Sequence, residues 1–534
     1  MKESPKKRIH SIVTNALDVN VKKGAFPGDI CQRPVKIEYP SHKKFGDYST
    51  PISMELAKIV KKPPAEVAAM ITKEIKENGF IKKVEIAHPG FINFYINTEA
   101  FNGYIAYIVQ SKEYGKTEKG SPENIILEYV SANPTGPLHI GHGRWAAIGD
   151  VLGNILAYTG DTVTREFYVN NAGNQIKLLG ESIKAAKEGK EIPEGGYHGD
   201  YITEIAEGIG DDDPVEYILS QQKKVLDTFR SRFDSYFLET SLYDEKKIQE
   251  LITFLEEKGY TYTKDGAVWF RSTTHGDDKD RVLIKKDGSY TYFAVDIAYH
   301  YMKVERRFTR MVNVFGADHH GYVQRLRTAC DVISGGGVGV DIIIGQLVNL
   351  FRGGEPVRMS KRTGDIITLE EVIDEIGVDA ARYYLSSLSA DTPLDFDLEA
   401  AQKQSSDNPV YYIQYAHARI QSLYRNADEK GISPVDEHIF DYTLIRSEST
   451  DDIVKHLIRF PDDLADMAAT YEIYHLHGYL YSLATMFHKF YFDYKILDTE
   501  HADVSGCYLY FIKAVERVLR IGLGLLGINA PDQM

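Results

Sequence analysis

The chain has 534 residues, 43% of them hydrophobic and 26% charged, ordinary values for a globular protein that exclude disordered and fibrous classes. At roughly 150 residues per domain the length suggests three or four domains. No run approaches ~18 uninterrupted apolar residues, which excludes a membrane-spanning helix, and MKESPKKRIHSIVTNALDVN lacks the apolar stretch of a secretory signal.

The net charge of −15 argues at first against a nucleic-acid partner. Its distribution does not: residues 1–62 carry 13 Lys+Arg against 6 Asp+Glu, a local +7 that leaves −22 on the rest. A basic module on an acidic body can hold a polyanion locally; a merely solvated basic surface fits the same numbers. Cys31, Cys330 and Cys507 lie too far apart in sequence for a disulfide framework or a zinc cluster, and they fit a reducing cytosol.

In chain order, residues 1–115 mix short helical and strand patterns and end in the alternating HPGFINFYI, read as a strand. SKEYGKTEKGSPEN is a polar linker. Residues 116–400 alternate strands with helices. Asn124–Val130 reads as a strand, SANPTGP as a loop, and a helix from His139 to Gly160 buries Trp145, Ile148, Leu152 and Ile155. Val163–Val169, Met311–Phe315 and Asp341–Leu350 repeat the strand pattern, and Thr368-x-x-Glu371 is a capping box. Strands alternating with helices predict an α/β, doubly wound, mainly parallel sheet. Residues 185–260 read as an insertion between its halves. Residues 401–534 read as all-helical, with Leu476, Leu480, Leu483, Phe487, Phe490 and Tyr494 forming the packing stripe of a bundle.

Two segments carry chemistry. His139 and His142 in LHIGH stand one turn apart at the first strand–helix crossover, where unpaired N–H groups and the helix dipole favour phosphate. Two imidazoles there can donate to a phosphoryl group gaining charge, and Gly141 leaves space for a base or sugar. A lone HxxH usually means nothing; this position gives it weight. The second segment, Arg358-Met359-Ser360-Lys361-Arg362, lies between Gly353-Gly354 and Gly364 and reads as a phosphate-seeking loop, or as an ordinary basic turn.

Together these motifs resemble the HIGH and KMSKS signatures of class I aminoacyl-tRNA synthetases. ENIILEYVSANPTGPLHIGHGR, REFYVNNAGNQI, KDRVLIKKDGSYTYFAVDIAYH, FGADHHGYVQRL, VRMSKRTGDIITLEEV, NPVYYIQYAHARI, LLGINAPDQM and KFGDYSTPISMELAK narrow the likeness to arginyl-tRNA synthetases, over essentially the whole chain. The resemblance implies an additional N-terminal tRNA-binding domain (1–115, α+β), a Rossmann-type catalytic domain (116–400, inserted at about 185–260) and a helical anticodon-binding domain (401–534). It implies ATP, with Mg²⁺, and L-arginine forming arginyl-adenylate, then transfer to the 2′-OH of the terminal adenosine of tRNA(Arg). It further implies activation only with tRNA bound, a cytoplasmic monomer, no membrane partner and no structural zinc.

Residue by residue, the HIGH segment runs through Ala132, Asn133, Pro134, Thr135, Gly136, Pro137, Leu138, His139, Ile140, Gly141 and His142. The likeness gives His139 and His142 the ATP phosphates and Lys361 the pyrophosphate, with Met359 and Ser360 beside it, and brings Gly316, Asp318 and His319 to the nucleoside. It makes Glu128, Asn133, Tyr292, Asp296 and Gln324 arginine-binding. A guanidinium offers five donors around a permanent charge, so a selective pocket needs carboxylates; Glu128 and Asp296 supply two, though Asp296 at a helix start could equally be a cap. Arg358 and Arg362 depart from the KMSKS pattern. Tyr411, Tyr412, Tyr415 and Arg419 could stack on unpaired bases or pack the first C-terminal helix. A cysteine-specific relative would need a zinc site that three dispersed cysteines do not readily provide, and an inactive RNA-binding relative should have lost the motif residues that are present here.

Overall fold

The computed structural model describes residues 3–76, 79–208, 213–357 and 367–534. The N-terminal module holds α1 (Pro5–Lys22), α2 (Ile52–Val60), α3 (Pro64–Lys73) and α4 (Glu99–Gln110) around an antiparallel sheet of β1 (Tyr48–Thr50), β2 (Ile81–Ala87) and β3 (Phe91–Ile96). Ser4 caps α1 by accepting from the Lys7 N–H, and Pro5 follows where a missing N–H costs nothing.

The central region opens with β4 (Asn124–Glu128), α5 (Ile140–Tyr158) and β5 (Thr162–Val169), followed by α6 (Asn174–Lys187), α7 (Asp200–Gly208) and α8 (Pro214–Thr228). Next come β6 (Ser235–Leu238), α9 (Thr240–Asp244), α10 (Lys247–Glu257), a hairpin sheet of β7 (Thr261–Lys264), β8 (Ala267–Phe270) and β9 (Arg281–Ile284), and α11 (Tyr292–Glu305). The region continues with β10 (Arg310–Gly316), α12 (Val323–Ser334), β11 (Gly339–Gly345), β12 (Val348–Arg352), β13 (Glu355–Pro356), α13 (Leu369–Ile376), α14 (Val378–Ser386), β14 (Leu394–Asp397) and α15 (Leu398–Gln402). The central sheet has the order β11-β10-β4-β5-β6 with every pair parallel. That is the 3-2-1-4-5 order of a doubly wound nucleotide-binding sheet, and its switch point lies between β4 and β10.

Two strand expectations need correction. The stretch 185–260 is not one inserted block, because it contains β6, the edge strand of the central sheet; a short half-buried SYFL carries little periodicity. Asp341–Leu350 is not one strand either. It breaks at Gln346 and Leu347 into β11 of the central sheet and β12 of a separate three-stranded sheet.

The break is tied to Arg144 on α5, a fully buried arginine. Its guanidinium donates to the carbonyls of Gln346 (2.9 Å), Leu347 (3.3 Å), Ser389 (2.9 Å) and Thr392 (2.7 Å). Arg382 on α14 plays a similar part: it pairs with Asp150 of α5 at 2.6 Å and donates to the carbonyls of Phe229, Arg230 and Leu526.

The C-terminal domain is α16 (Pro409–Glu429), α17 (Glu448–Thr470), α18 (His475–Asp493) and α19 (Ala502–Leu525). The expected stripe lies on α18: Leu476, Leu480, Leu483, Phe487 and Phe490 have no exposed surface. The N-terminal module packs directly on this bundle. Asp462 of α17 accepts from the Ser4 hydroxyl (2.5 Å) and the Lys6 N–H (3.3 Å), Lys43 pairs with Asp452, Lys455 with Asp47, and Arg459 lies 3.5 Å over the Tyr39 ring.

Candidate active site

His139 is the N-cap of α5 and His142 its third residue. The His139 Nδ1 accepts from the N–H groups of Gly141 (3.1 Å) and His142 (3.4 Å), while the His142 Nδ1 accepts from the N–H of His139 (3.3 Å). Both rings therefore spend Nδ1 as an acceptor, and in their neutral forms this network assigns the proton to Nε2. The rings stack, 3.7 Å between centroids and 20° from parallel. Gly141 is required by that packing: a Cβ there would meet the His139 Cε1 at 2.9 Å.

The loop before His139 is anchored on two sides. Leu138 and His139 meet the start of α13, with the Leu369 N–H donating to the Leu138 carbonyl at 2.7 Å and His139 bridged to Thr368. Thr368 and Glu371 form the expected capping box. This sets the start of α13 beside His139. Arg358, Met359, Ser360, Lys361 and Arg362 themselves lie outside the described residues.

The carboxylates gather around Tyr168 of β5. Its hydroxyl donates to Glu239 Oε2 at 2.9 Å, Tyr243 also reaches Glu239, and Asp296 and Glu128 lie close enough to act on it electrostatically. Burial, with the negative charges of Glu239, Asp296 and Glu128, raises the Tyr168 pKa strongly and keeps the phenol protonated as a donor. Glu128, at the end of β4, is buried; Lys303 Nζ stands 2.6 Å from its Oε2 and the Ser131 hydroxyl donates to its Oε1 at 3.1 Å. Lys303 also donates to the Asn313 Oδ1 (3.2 Å), the Asn313 amide faces the His300 Nε2 (3.4 Å), and the His300 Nδ1 faces the Asp296 carbonyl (2.8 Å) and carboxylate (3.2 Å). Since the carbonyl can only accept, Nδ1 carries the proton and His300 in its neutral form orients Asp296.

Glu239 and Asp296 thus differ from Glu128. Among the described residues no lysine or arginine stands within ion-pairing distance of either. Burial and the neighbouring Asp296 charge raise the pKa of Glu239 against two tyrosine hydroxyls that lower it. At Asp296 burial pushes the pKa up, but His300 and the Tyr322 hydroxyl outweigh it and hold the carboxyl below the usual range. Two adjacent carboxylates with no lysine or arginine in ion-pairing distance among the described residues can receive a cationic ligand.

Residues 7–96 match the family model for the arginyl tRNA synthetase N terminal domain, 105–195 and 213–422 that for the class I (R) tRNA synthetase catalytic domain, and 413–534 that for the DALR anticodon binding domain. Arginine–tRNA ligase of Geobacillus kaustophilus is 44% identical over 526 residues, covering 94% of each chain. The chain belongs to the arginyl-tRNA synthetases. The Bacillus subtilis arginine–tRNA ligase is 43% identical over the same share. The Thermus thermophilus arginyl-tRNA synthetase superposes with a TM-score of 0.80 at 20% identity, covering 99% of this chain and all of that one, a likeness of fold.

In this synthetase Asn133, Tyr292 and Gln324 are exposed. Asn133 is exposed, its amide donating to Gln175 Oε1 at 2.7 Å. Tyr292, the first residue of α11, is 84% exposed and lies near enough to Tyr243 to act on it electrostatically. The helix is capped by Thr291, so Asp296 is not a cap. Gln324 is exposed on the first turn of α12. Gly316 ends β10 at the sheet's switch point, and Asp318 and His319 follow it in a 3₁₀ turn. The sequence reading missed Glu239; the one signal available was REFYVNNAGNQI, whose Asn171 exchanges two hydrogen bonds with Thr240, the next residue along from Glu239.

On α16, Arg419 lies 4.5 Å over Tyr415 and 4.6 Å over Tyr491 of α18, and Phe492 beside it is 89% exposed. Tyr411 stacks on Tyr415, whereas Tyr412 packs against Tyr481 and His488.

Proposed function

We propose that the carboxylate pair Glu239 and Asp296 holds the guanidinium of L-arginine while the stacked His139 and His142 hold the phosphates of ATP, as the two substrate ends of an arginine–tRNA ligase. The observation that supports this reading is the neighbouring pair Glu239 and Asp296, neither within ion-pairing distance of a lysine or arginine among the described residues, together with the stacked His139 and His142 at the N-terminus of α5. Glu128 has its charge met by Lys303 and serves to frame the pocket, with Asn133 and Gln324 positioned for the ammonium and carboxylate and Tyr292 for closing over the side chain.

In the first step an oxygen of the arginine carboxylate attacks the α-phosphorus of ATP. The P–O bond to pyrophosphate breaks, giving arginyl-adenylate. The helix N-terminus and the Nε2–H groups stabilise charge that grows on the phosphates; Gly141, Gly316, Asp318 and His319 approach the nucleotide, and Met359, Ser360 and Lys361 receive the pyrophosphate. In the second step the 2′-OH of the terminal adenosine of tRNA(Arg) attacks the acyl carbon and AMP leaves. Among the described residues no three carboxylates, imidazoles or thiols gather around a metal position, and Mg²⁺ would enter on the phosphates of ATP, as is usual for that ion. The domain limits that go with this reading fall near residues 115 and 400, in a cytoplasmic monomer.

Charging a tRNA pool with each of the 20 amino acids in turn tests it. Arginine alone should give acid-precipitable product, and charging with another amino acid, or with none, would overturn the assignment.

A further inference from the structure

Three residues of the loop before His139, Asn133, Thr135 and Gly136, are held by the segment inserted between β5 and β6. The Gln222 Nε2, on α8, donates to the carbonyls of Gly136 (2.8 Å) and Asn133 (3.1 Å); the Tyr201 hydroxyl, on α7, donates to the Thr135 carbonyl (3.0 Å); Gln175, on α6, accepts from the Asn133 amide. Gln222 is 2% exposed, and its Oε1 is buried without a hydrogen-bond partner. Both neighbours of the amide nitrogen are carbonyls, which can only accept, so the orientation of the carboxamide is settled. On α8 it occupies the middle of the apolar series Ile218, Gln222, Leu226. Ile218 belongs to a small core shared with Leu179, Ile183, Ile202 and Ile205, whereas Leu226 belongs to the main core. A leucine there would leave the Asn133 and Gly136 carbonyls without their Gln222 donor, whereas the glutamine serves both at the expense of one buried oxygen left unsatisfied.

We propose that Gln222 is a positioning residue for adenylate formation: it fixes the height of the Asn133–Gly136 loop over the insertion and through it the placement of His139 and His142. The proposal rests on the reading of this site as the place where ATP and arginine react. The two histidines sit directly after a loop that is tied to α13 on one side and to the insertion on the other, so loss of the insertion side lets the N-terminus of α5 shift relative to the carboxylates. Misplacement of reacting groups by about 1 Å can cost on the order of a hundredfold in rate.

The test uses Gln222→Met in the full chain, which keeps the volume and removes both donors, and Tyr201→Phe, which removes one donor and keeps its ring. Arginine-dependent ATP–pyrophosphate exchange is followed with total tRNA present, alongside thermal unfolding. Gln222→Met should lower kcat by about ten- to a hundredfold, with the KM for arginine within about threefold of the parent, because the carboxylates are untouched. Tyr201→Phe should lower kcat by a smaller factor in the same pattern. Folded Gln222→Met with parental kcat overturns the proposal, as does a loss confined to the KM for arginine. Should Gln222→Met not fold, Tyr201→Phe alone decides, and its parental kcat is then the overturning result. A parent protein without exchange would instead strike at the assigned activity.

Discussion

Lys303 Nζ lies 2.6 Å from Glu128 Oε2, and neither group reaches solvent to any extent. Removing one partner of such a pair leaves an uncompensated buried charge, at about 3–5 kcal/mol. Lys303→Met should therefore lower the unfolding free energy by that order, and Glu128→Gln combined with Lys303→Met should restore most of it. Denaturant titration of the four proteins closes the cycle; a double variant no better than Lys303→Met would show that the two side chains do not act as a unit.

In the proposed pocket no lysine or arginine among the described residues stands within ion-pairing distance of Glu239 or Asp296. Glu239→Gln should weaken arginine binding by about 3 kcal/mol, roughly a hundredfold, since a desolvated charge pair is broken. It should also shrink the preference for arginine over citrulline, which is neutral and nearly isosteric. The pH profile carries a second signature. Arginine needs Glu239 as a carboxylate, and its pKa is raised, so kcat/KM should fall with acid at a pH above the ordinary glutamate range, and that limb should be lost in Glu239→Gln. Competition assays and a pH series read both.

Asp462 joins the N-terminal module to α17. Burial pushes its pKa up from 3.8 to about 6, against the Ser4 and Lys6 donors that lower it. A folded-state value above the unfolded one means stability that is complete below about pH 4 and lost as pH rises through about 6. Asp462→Asn, neutral at every pH, should stabilise the chain at pH 7.5 by on the order of 2–3 kcal/mol and show a smaller gain at pH 5. Unfolding at the two pH values measures the difference, and an equal effect at both would place the titration elsewhere.

Phe492, Tyr491, Arg419 and Tyr415 present planar groups on the surface formed by α16 and α18. Stacking on unpaired bases is worth about 1–3 kcal/mol per base. Phe492→Ala should raise the KM for tRNA by about tenfold and leave the KM for arginine unchanged. Unchanged tRNA kinetics would make the ring a surface residue without a role in RNA binding.

The order of elements, the capping box at Thr368 and the histidine pair were legible because each is a local pattern: an apolar period, a pair of residues three apart, a strand followed by glycine and proline. Glu239 was not. It follows a four-residue strand whose alternation is too short to announce itself, and its significance comes from the pairing of Tyr168 with Phe237 across β5 and β6, which sets it at the Tyr168 hydroxyl. Glu128 shows the reverse. Its motif marks it as a ligand for arginine, yet only the fold reveals Lys303 bound to it, contributed by a helix 175 residues further on. Gln222 looks like an ordinary polar residue on a helix until the loop carbonyls that it serves are known.

Arg144 gives the order in which this enzyme can be assembled. Its guanidinium is buried on the helix that carries the histidines, and every acceptor that it uses lies between Gln346 and Thr392. While the ribosome is still translating the segment before Gln346, that helix has a cation on its core-facing side with nothing to accept its protons, and burying it then is strongly unfavourable. The ATP end of the site is thus encoded early and completed late, through contacts of long sequence separation, the kind that fold slowly.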